Sequence, residues 1–430
     1  MPRPSRLLSC TAAALLATGL TGAGLVLTGF GPHTGEAASL TADAATSWPA
    51  HVFAPYVDTG LSNTTLTTVA SDYGTKYFEL AFADGSGCQW SLPNQSGWQS
   101  QISALQAEGG DVSISFGGYT VDTDGTDLGN QCSSASAMAT QVESVVTTMN
   151  VTHLDFDIES SEETNSADFT RTAQALALVR SWASSTGRAL NISYTLPVLP
   201  SGFTSDGLNV LNAAQSSGFK PDVVNIMTMD YGTSGTEMGT ASNQALDAAA
   251  GQVASVFGES TSAAYAMLGN TPMIGQNDSP GEIFSLADAA TVESHAAAEG
   301  IALVSFWAEG RDNGGCPGQT SASSTCSGLS QSTGAFTQAF QAFTSGSEDG
   351  STSPTPPPTT PPPTSPPPTT TPPTTGPPTS GSCDAAWSNS TAYTSGNEVS
   401  YGGHNWTASQ WNYDEVPGGA AGAWTDDGAC

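Results

Sequence analysis

The sequence predicts an α/β protein: a (β/α)8 barrel, then a Pro/Thr-rich spacer, then a small all-β module. Three observations carry this. Short apolar stretches alternate with Ala-rich, helix-like ones across the first three-quarters of the chain. Polar residues gather at the C-terminal ends of those apolar stretches, where a barrel keeps its active site. A block dominated by Pro and Thr then separates this region from an aromatic-rich tail bounded by two cysteines. An open doubly wound sheet is the competing arrangement, and the clustering of polar strand ends favours the barrel.

The N-terminus reads as an export signal over residues 1–44. Arg3 and Arg6 precede an apolar run from Leu7 to about Phe30, and small residues follow in "GEAASLTADAA". Cleavage near Ala38 and cleavage near Ala44 both fit. A membrane anchor fits less well, because Gly and Thr dilute the run. A lipid-modified Cys10 fits less well too, because Cys10 lies at the start of the run rather than its end. The expected location is therefore extracellular, with no membrane attachment after cleavage.

Residues 45–346 form the expected barrel. Its strand candidates are "HVFAPYVD", "YFELAFAD", "DVSISFGG", "THLDFDIE", "LNISYTLP", "VVNIMTMDYG", "TPMIG" and "ALVSFWAEG". Helix-like segments between them include "SGWQSQISALQAEG", "SADFTRTAQALALVRSWASSTG" and "SLADAATVESHAAAEG". Residues 347–382 are an extended, semi-rigid spacer by composition, with a reach approaching ~100 Å at ~3.1 Å per residue. Residues 383–430 are the small module, too short for a large core and in need of a staple.

Charge and cysteines narrow the partners. Eight basic residues face 39 acidic ones, a net charge of −31. Such a surface repels nucleic acid and anionic membranes but not a neutral polymer. With Cys10 removed, six cysteines remain, an even number that in an exported chain reads as disulfides. Proximity and domain boundaries pair Cys88 with Cys132, Cys316 with Cys326, and Cys383 with Cys430. With no CxxC pair and few histidines, no metal or other cofactor is expected, and the chain is expected to act as a monomer.

The chemistry concentrates in "THLDFDIE". Leu154, Phe156 and Ile158 alternate with Asp155, Asp157 and Glu159. On a strand this puts the three acids on one face, neighbours ~6.6 Å apart along the chain. If the apolar set meets the helices, the acids point into the barrel. Carboxylates crowded there must be protonated, paired or hydrogen-bonded.

These residues resemble the glycoside hydrolase family 18 motif D-x-x-D-x-D-x-E, with Asp155, Asp157 and Glu159 as its last three acids and Thr152 in place of the first. The family's S-x-G-G motif appears as Ser115, Gly117 and Gly118. Its M-x-Y-D motif appears in altered form as "MTMDYG": Met227 and Asp230 match, Met229 stands where Tyr is usual, and Tyr231 follows. Trp307 in "SFWAEGRDN" is similar to the family's Trp at the floor of the sugar subsite. The resemblance implies a secreted chitinase whose partners are chitin and N-acetylglucosamine oligomers. It implies retaining, substrate-assisted hydrolysis, an exception to the two-carboxylate scheme. Glu159 is then the general acid, kept protonated by its neighbours' charge. Asp157 orients the substrate's acetamido group, and Asp155 shares a proton with Asp157. Tyr231, Asp230, Met229, Trp307, Ser115 and Tyr56 are expected around the substrate. Arg311 and Asp312 fit a structural ion pair as well as ligands, and His153 reads as packing.

The tail resembles the short modules of carbohydrate-binding families 5 and 12, through the aromatic order Trp387, Tyr393, Tyr401, Trp406, Trp411 and a closing Trp424. The resemblance implies chitin binding by exposed rings, Trp411 first and Tyr413 second, with Trp387, Tyr401 and Trp406 in the core. An endo-β-N-acetylglucosaminidase of N-glycans or peptidoglycan and a catalytically dead chitin lectin are the competing readings. Retention of Glu159 argues against the lectin.

Overall fold

The computed structural model describes residues 48–61, 65–345, 383–388, 392–393, 398–408, 412–413, 416–418 and 424–430. The expected export signal, the Pro/Thr spacer and Trp411 lie outside the described residues.

Strands β1 (Val52–Phe53), β2 (Tyr56–Asp58), β3 (Tyr77–Ala83), β4 (Asp111–Gly117), β5 (His153–Asp157), β6 (Asn191–Pro197), β7 (Val223–Met227) and β8 (Leu268–Thr271) are parallel barrel strands. A hairpin of β9 (Gly275–Gln276) and β10 (Ile283–Phe284) follows, and β11 (Leu303–Val304) is the last barrel strand. β1 and β2 are one barrel strand interrupted at Ala54 and Pro55. Its first half pairs with β11 and its second with β3. Bonds from Ala54 N–H to Val304 O and from Tyr56 N–H to Phe306 O continue the ladder across the interruption. The sheet therefore closes, and the predicted eight-stranded barrel is the observed one.

The three quoted helical stretches fall at Gln95–Ala107, Ser166–Ser185 and Leu286–Glu299. One strand is displaced from its expected place. The seventh strand is Leu268–Thr271 rather than "TPMIG". Its residues Gly269 and Asn270 break the apolar pattern that sequence reading follows, yet Asn270 is fully buried and accepts hydrogen bonds from Thr228 and Ser242. Pro272 has no N–H to donate, so the regular ladder is interrupted there and resumes only as an isolated bridge between Met273 and Trp307.

On β5 the two faces separate as the alternation requires. Leu154, Phe156 and Ile158 are buried in the layer between strands and helices, where the Phe156 ring stacks on Phe116 at 4.8 Å. Asp155 and Asp157 point the other way. Glu159 ends the strand as the N-cap residue of the short helix Ser160–Thr164. The disulfides are Cys88–Cys132, Cys316–Cys326 and Cys383–Cys430, the pairings expected.

The tail is all-β: β12 (Ala392–Tyr393) pairs with β15 (Asn412–Tyr413), and β14 (His404–Ala408) lies between β13 (Glu398–Tyr401) and β16 (Trp424–Ala429). Tyr393, Val399, Ala408 and Trp424 are its core, with Trp387 and Trp406 packed against them. Tyr401, expected in this core, is 42% exposed and meets Trp387 edge-on at 5.4 Å. It stands at the end of β13 beside the turn Gly402–Gly403, where the alternation turns its ring outward.

Candidate active site

A cavity of about 980 Å³ opens at the C-terminal ends of the barrel strands, and Asp157 and Glu159 lie in its wall. Of the expected residues, Tyr56, Met229, Asp230 and Trp307 join them there, as does Met227. Asp155 and Ser115 lie beneath it. Tyr231 does not line it: the ring is 8% exposed in the core, and its backbone N–H donates to Glu282 Oε2 at 2.9 Å.

The three acids of β5 differ in their surroundings. Asp155 is 1% exposed and accepts four hydroxyl hydrogen bonds. Tyr56 Oη and Ser115 Oγ donate to Oδ2 at 2.8 and 2.7 Å; Ser193 Oγ and Thr195 Oγ1 donate to Oδ1 at 2.7 and 2.8 Å. Burial raises its pKa, and these donors pull it back. Its oxygens are occupied by hydroxyls, so the expected proton sharing with Asp157 is not seen as a hydrogen bond.

Asp157 is almost as deep, yet its Oδ1 has no partner. Burial first, then the charges of Glu159 and Asp155, push its carboxyl well above the usual range. Its unpartnered oxygen belongs to a side chain in the cavity wall. A buried acceptor left unpaired costs ~1–3 kcal/mol, a penalty that a bound N–H removes.

Glu159 is partly exposed, and its pKa is raised to about 7. Burial is the main cause, the backbone N–H of Tyr119 pulls down, and Asp230 pushes up. The expected cause, repulsion from its neighbours on the strand, is not among these; the only charge that raises it is that of Asp230, beyond the end of β7. Its backbone N–H donates to Asp122 Oδ2 at 2.8 Å.

Asp230 follows β7 in the left-handed region, φ 52°. Its Oδ1 accepts the Ser279 N–H at 2.7 Å, which turns the carboxylate along the rim. Ser115 reaches Asp155 and acts as a positioning group. Gly117 and Gly118, with φ 88° and 84°, are required by close approach: a Cβ at Gly117 would stand 2.2 Å from Asp157 O, and one at Gly118 2.6 Å from the Phe82 ring. Arg311 and Asp312 are structural but not paired with each other. Arg311 donates to the backbone oxygens of Ser323, Ile274 and Gln276, while Asp312 accepts from the N–H groups of Phe336 and Thr337. His153 lies at the opposite end of β5, stacked on Trp48 at 4.1 Å, as packing.

Sequence reading missed several groups here. Phe82 lies parallel to Trp307, centroids 5.6 Å apart, and both approach the Tyr56 ring. Together they form an aromatic wall. Tyr119, 67% exposed, lines the mouth next to Glu159. Phe82 looked like an ordinary core residue of a strand. Tyr119 directly follows the Gly117–Gly118 pair, which was the available signal. The cavity wall also carries Asp58, Asp84 and Asp278 but no Lys, Arg or His among the described residues.

A closed parallel barrel with a hydroxyl-anchored acid and an acid with an orphan oxygen on the fourth barrel strand, and an acid poised near neutrality just beyond its end, defines a glycoside hydrolase site. Residues 49–307 match the Glycosyl hydrolases family 18, and the chain belongs to that family. It is 33% identical over 320 residues to a probable bifunctional chitinase/lysozyme of Escherichia coli (strain K12), covering 69% of this chain and 35% of that protein. It is 33% identical over 282 residues to endochitinase 11 of Metarhizium anisopliae, covering 62% of this chain and 53% of that protein. The chain thus spans about a third and about half the length of these two relatives. Among solved structures, the catalytic domain of a hyperthermophilic chitinase from Pyrococcus furiosus is similar with a TM-score of 0.64 and 30% identity, covering 71% of this chain and 99% of that one.

Proposed function

We propose that the protein is a secreted, monomeric chitinase that hydrolyses β-1,4-linked N-acetylglucosamine polymers by substrate-assisted, retaining catalysis. The observation that carries this reading is the unpartnered Oδ1 of Asp157, one pleat from Glu159. An acetamido N–H is the group it lacks. An ordinary two-carboxylate glycosidase has no use for such an acceptor at that place.

Glu159 gives its proton to the glycosidic oxygen as the C1–O bond breaks. The acetamido oxygen of the same sugar forms a bond to C1 and yields an oxazolinium ion. Asp157 accepts the acetamido N–H and stabilises the positive charge that grows on that group. Asp155, held by four hydroxyls, fixes the strand and adds negative potential from below. Glu159, now a carboxylate, takes a proton from water as the water oxygen bonds to C1 and the ring opens, so the configuration is retained. Phe82, Tyr56 and Trp307 offer the sugar an apolar face. The acidic wall disfavours anionic polymers and accepts neutral ones.

The tail module is read as a chitin-binding device that raises local concentration at the polymer through the spacer. The name of the Escherichia coli relative includes lysozyme, which favours peptidoglycan as a second substrate, since it too carries acetamido sugars. Product analysis on N-acetylglucosamine oligomers and on peptidoglycan separates the two. Competitive inhibition by a thiazoline mimic of the oxazolinium ion is expected in either case. Failure of the thiazoline to compete would contradict the mechanism.

A further inference from the structure

Behind Glu159, on the side away from the cavity, lies a second group of acids that the hydrolytic scheme does not use. Asp122 comes from the short helix after β4, Asp127 from the turn that follows it, and Glu162 from the short helix after β5. Each offers a carboxylate oxygen, and the three oxygens lie within 4.8 Å of one another. They are 0%, 4% and 5% exposed.

Two further observations point to a ligand among them. First, Oδ1 of Asp122 is buried with no hydrogen-bond partner, and it lies against Gly117. Second, Gly129 leaves out the atom that would fill the gap between the acids. A Cβ there would stand 2.6 Å from Thr172 Oγ1, 2.9 Å from Glu162 Oε1 and 3.0 Å from Asp127 Oδ1. Three oxygens from three elements converge on one point. The nearest cation, Arg171, is engaged elsewhere, with Asp168 at 2.9 Å and with the Gly129 carbonyl. It cannot neutralise three carboxylates.

We propose that Asp122, Asp127 and Glu162 bind one Ca²⁺ ion, with Thr172 Oγ1 as a further oxygen donor. The donors are all hard oxygens, which excludes the soft metals. The donors are almost wholly buried, which disfavours Mg²⁺, an ion that keeps several waters, whereas Ca²⁺ accepts an irregular shell filled by carboxylates. The ion departs from the expectation that the chain binds no metal. Its role is positional: Asp122 uses Oδ2 to accept the N–H of Glu159. An ion on the other oxygen fixes that carboxylate and, through it, the backbone of the general acid. The site stands on its own geometry and does not depend on the hydrolytic reading.

The test uses the full chain, stripped with EDTA, dialysed, and titrated at neutral pH with CaCl2 and separately with MgCl2 by calorimetry, alongside thermal unfolding. About one Ca²⁺ per chain, bound at least about tenfold more tightly than Mg²⁺ and raising Tm, is expected. Gly129→Ala, which fills the space while keeping every charge, and Glu162→Gln should each remove the Ca²⁺-dependent rise in Tm. Absence of heat and of any Tm change in the wild-type chain up to millimolar Ca²⁺ would overturn the proposal, whatever the variants do. So would binding that survives both substitutions, which would place the ion elsewhere, or binding of Mg²⁺ as tight as that of Ca²⁺.

Discussion

The two ends of strand β5 bury polar side chains in different ways. At its start, His153 is stacked on Trp48, hydrogen-bonds to the Thr152 hydroxyl through Nδ1, and is held neutral by burial, its pKa pushed down to about 3. Next to it Asp111 accepts from Gln106 at 2.9 Å and from Trp48 and Thr152 at longer range. At its end, Asp157 keeps an oxygen without a partner and Glu159 holds a proton near neutrality. His153 and Asp111 are thus satisfied by their neighbours, although Glu79 Oε2 and Ser113 Oγ at the same end are buried without a partner. At the other end the unpartnered oxygen stands beside an acid poised near neutrality in a large cavity, and that conjunction marks the end where substrate enters.

The comparison breaks most visibly at Glu159. Glu159→Gln keeps the shape and removes the transferable proton. A fall in kcat of ~10²–10⁴-fold with oligomer binding retained is expected. Activity within about twofold of wild type would remove Glu159 from its role.

The pH profile sharpens it. The acid form of Glu159 is the active one, and its raised pKa lies at about 7. kcat/KM should be highest below that value and fall about tenfold per pH unit well above it. The same descending limb in Glu159→Gln would assign it to another group.

The His153 end should answer in stability, not in rate. His153 is neutral in the fold at a pH where the unfolded chain is protonated. Between about 6.5 and 3 the unfolded state therefore binds more protons, and this residue's contribution to stability is lost as the pH falls through that window. His153→Gln should flatten that part of the stability–pH curve relative to wild type and leave kcat near neutral pH within about twofold. A large fall in kcat with normal folding would show that the two ends are coupled.

The smallest effect concerns the tail. Deleting everything after Gly346 should leave hydrolysis of soluble oligomers nearly unchanged while reducing adsorption to insoluble chitin. Equal adsorption by both chains would remove the binding role from the tail.

How far the sequence could be read follows the same physics. Strict alternation made Asp155, Asp157 and Glu159 legible, because a closed barrel leaves only one side for each set. The displaced seventh strand was not legible, since Gly269 and Asn270 look like a turn until Asn270 is seen inside a polar network. Tyr231 looked like a ligand by its place beside Asp230, but the backbone turns there at φ 52° and sends the ring into the core. Phe82 has no signature that separates a wall of sugar-facing rings from an ordinary strand core. Asp122 sits in a short helix with no periodicity to mark it. Its role depends on a contact with Glu159 from 37 residues away.

The orphaned acceptor of Asp157 is the centre of the proposed mechanism, and partly deacetylated chitin interrogates it directly. If Asp157 receives an acetamido N–H and the acetamido oxygen attacks C1, the sugar on the non-reducing side of each cleaved bond must be N-acetylated. Sequencing the new reducing ends should find N-acetylglucosamine at essentially all of them. Frequent glucosamine at those ends would contradict the mechanism and make Asp230, on the facing rim, the candidate nucleophile.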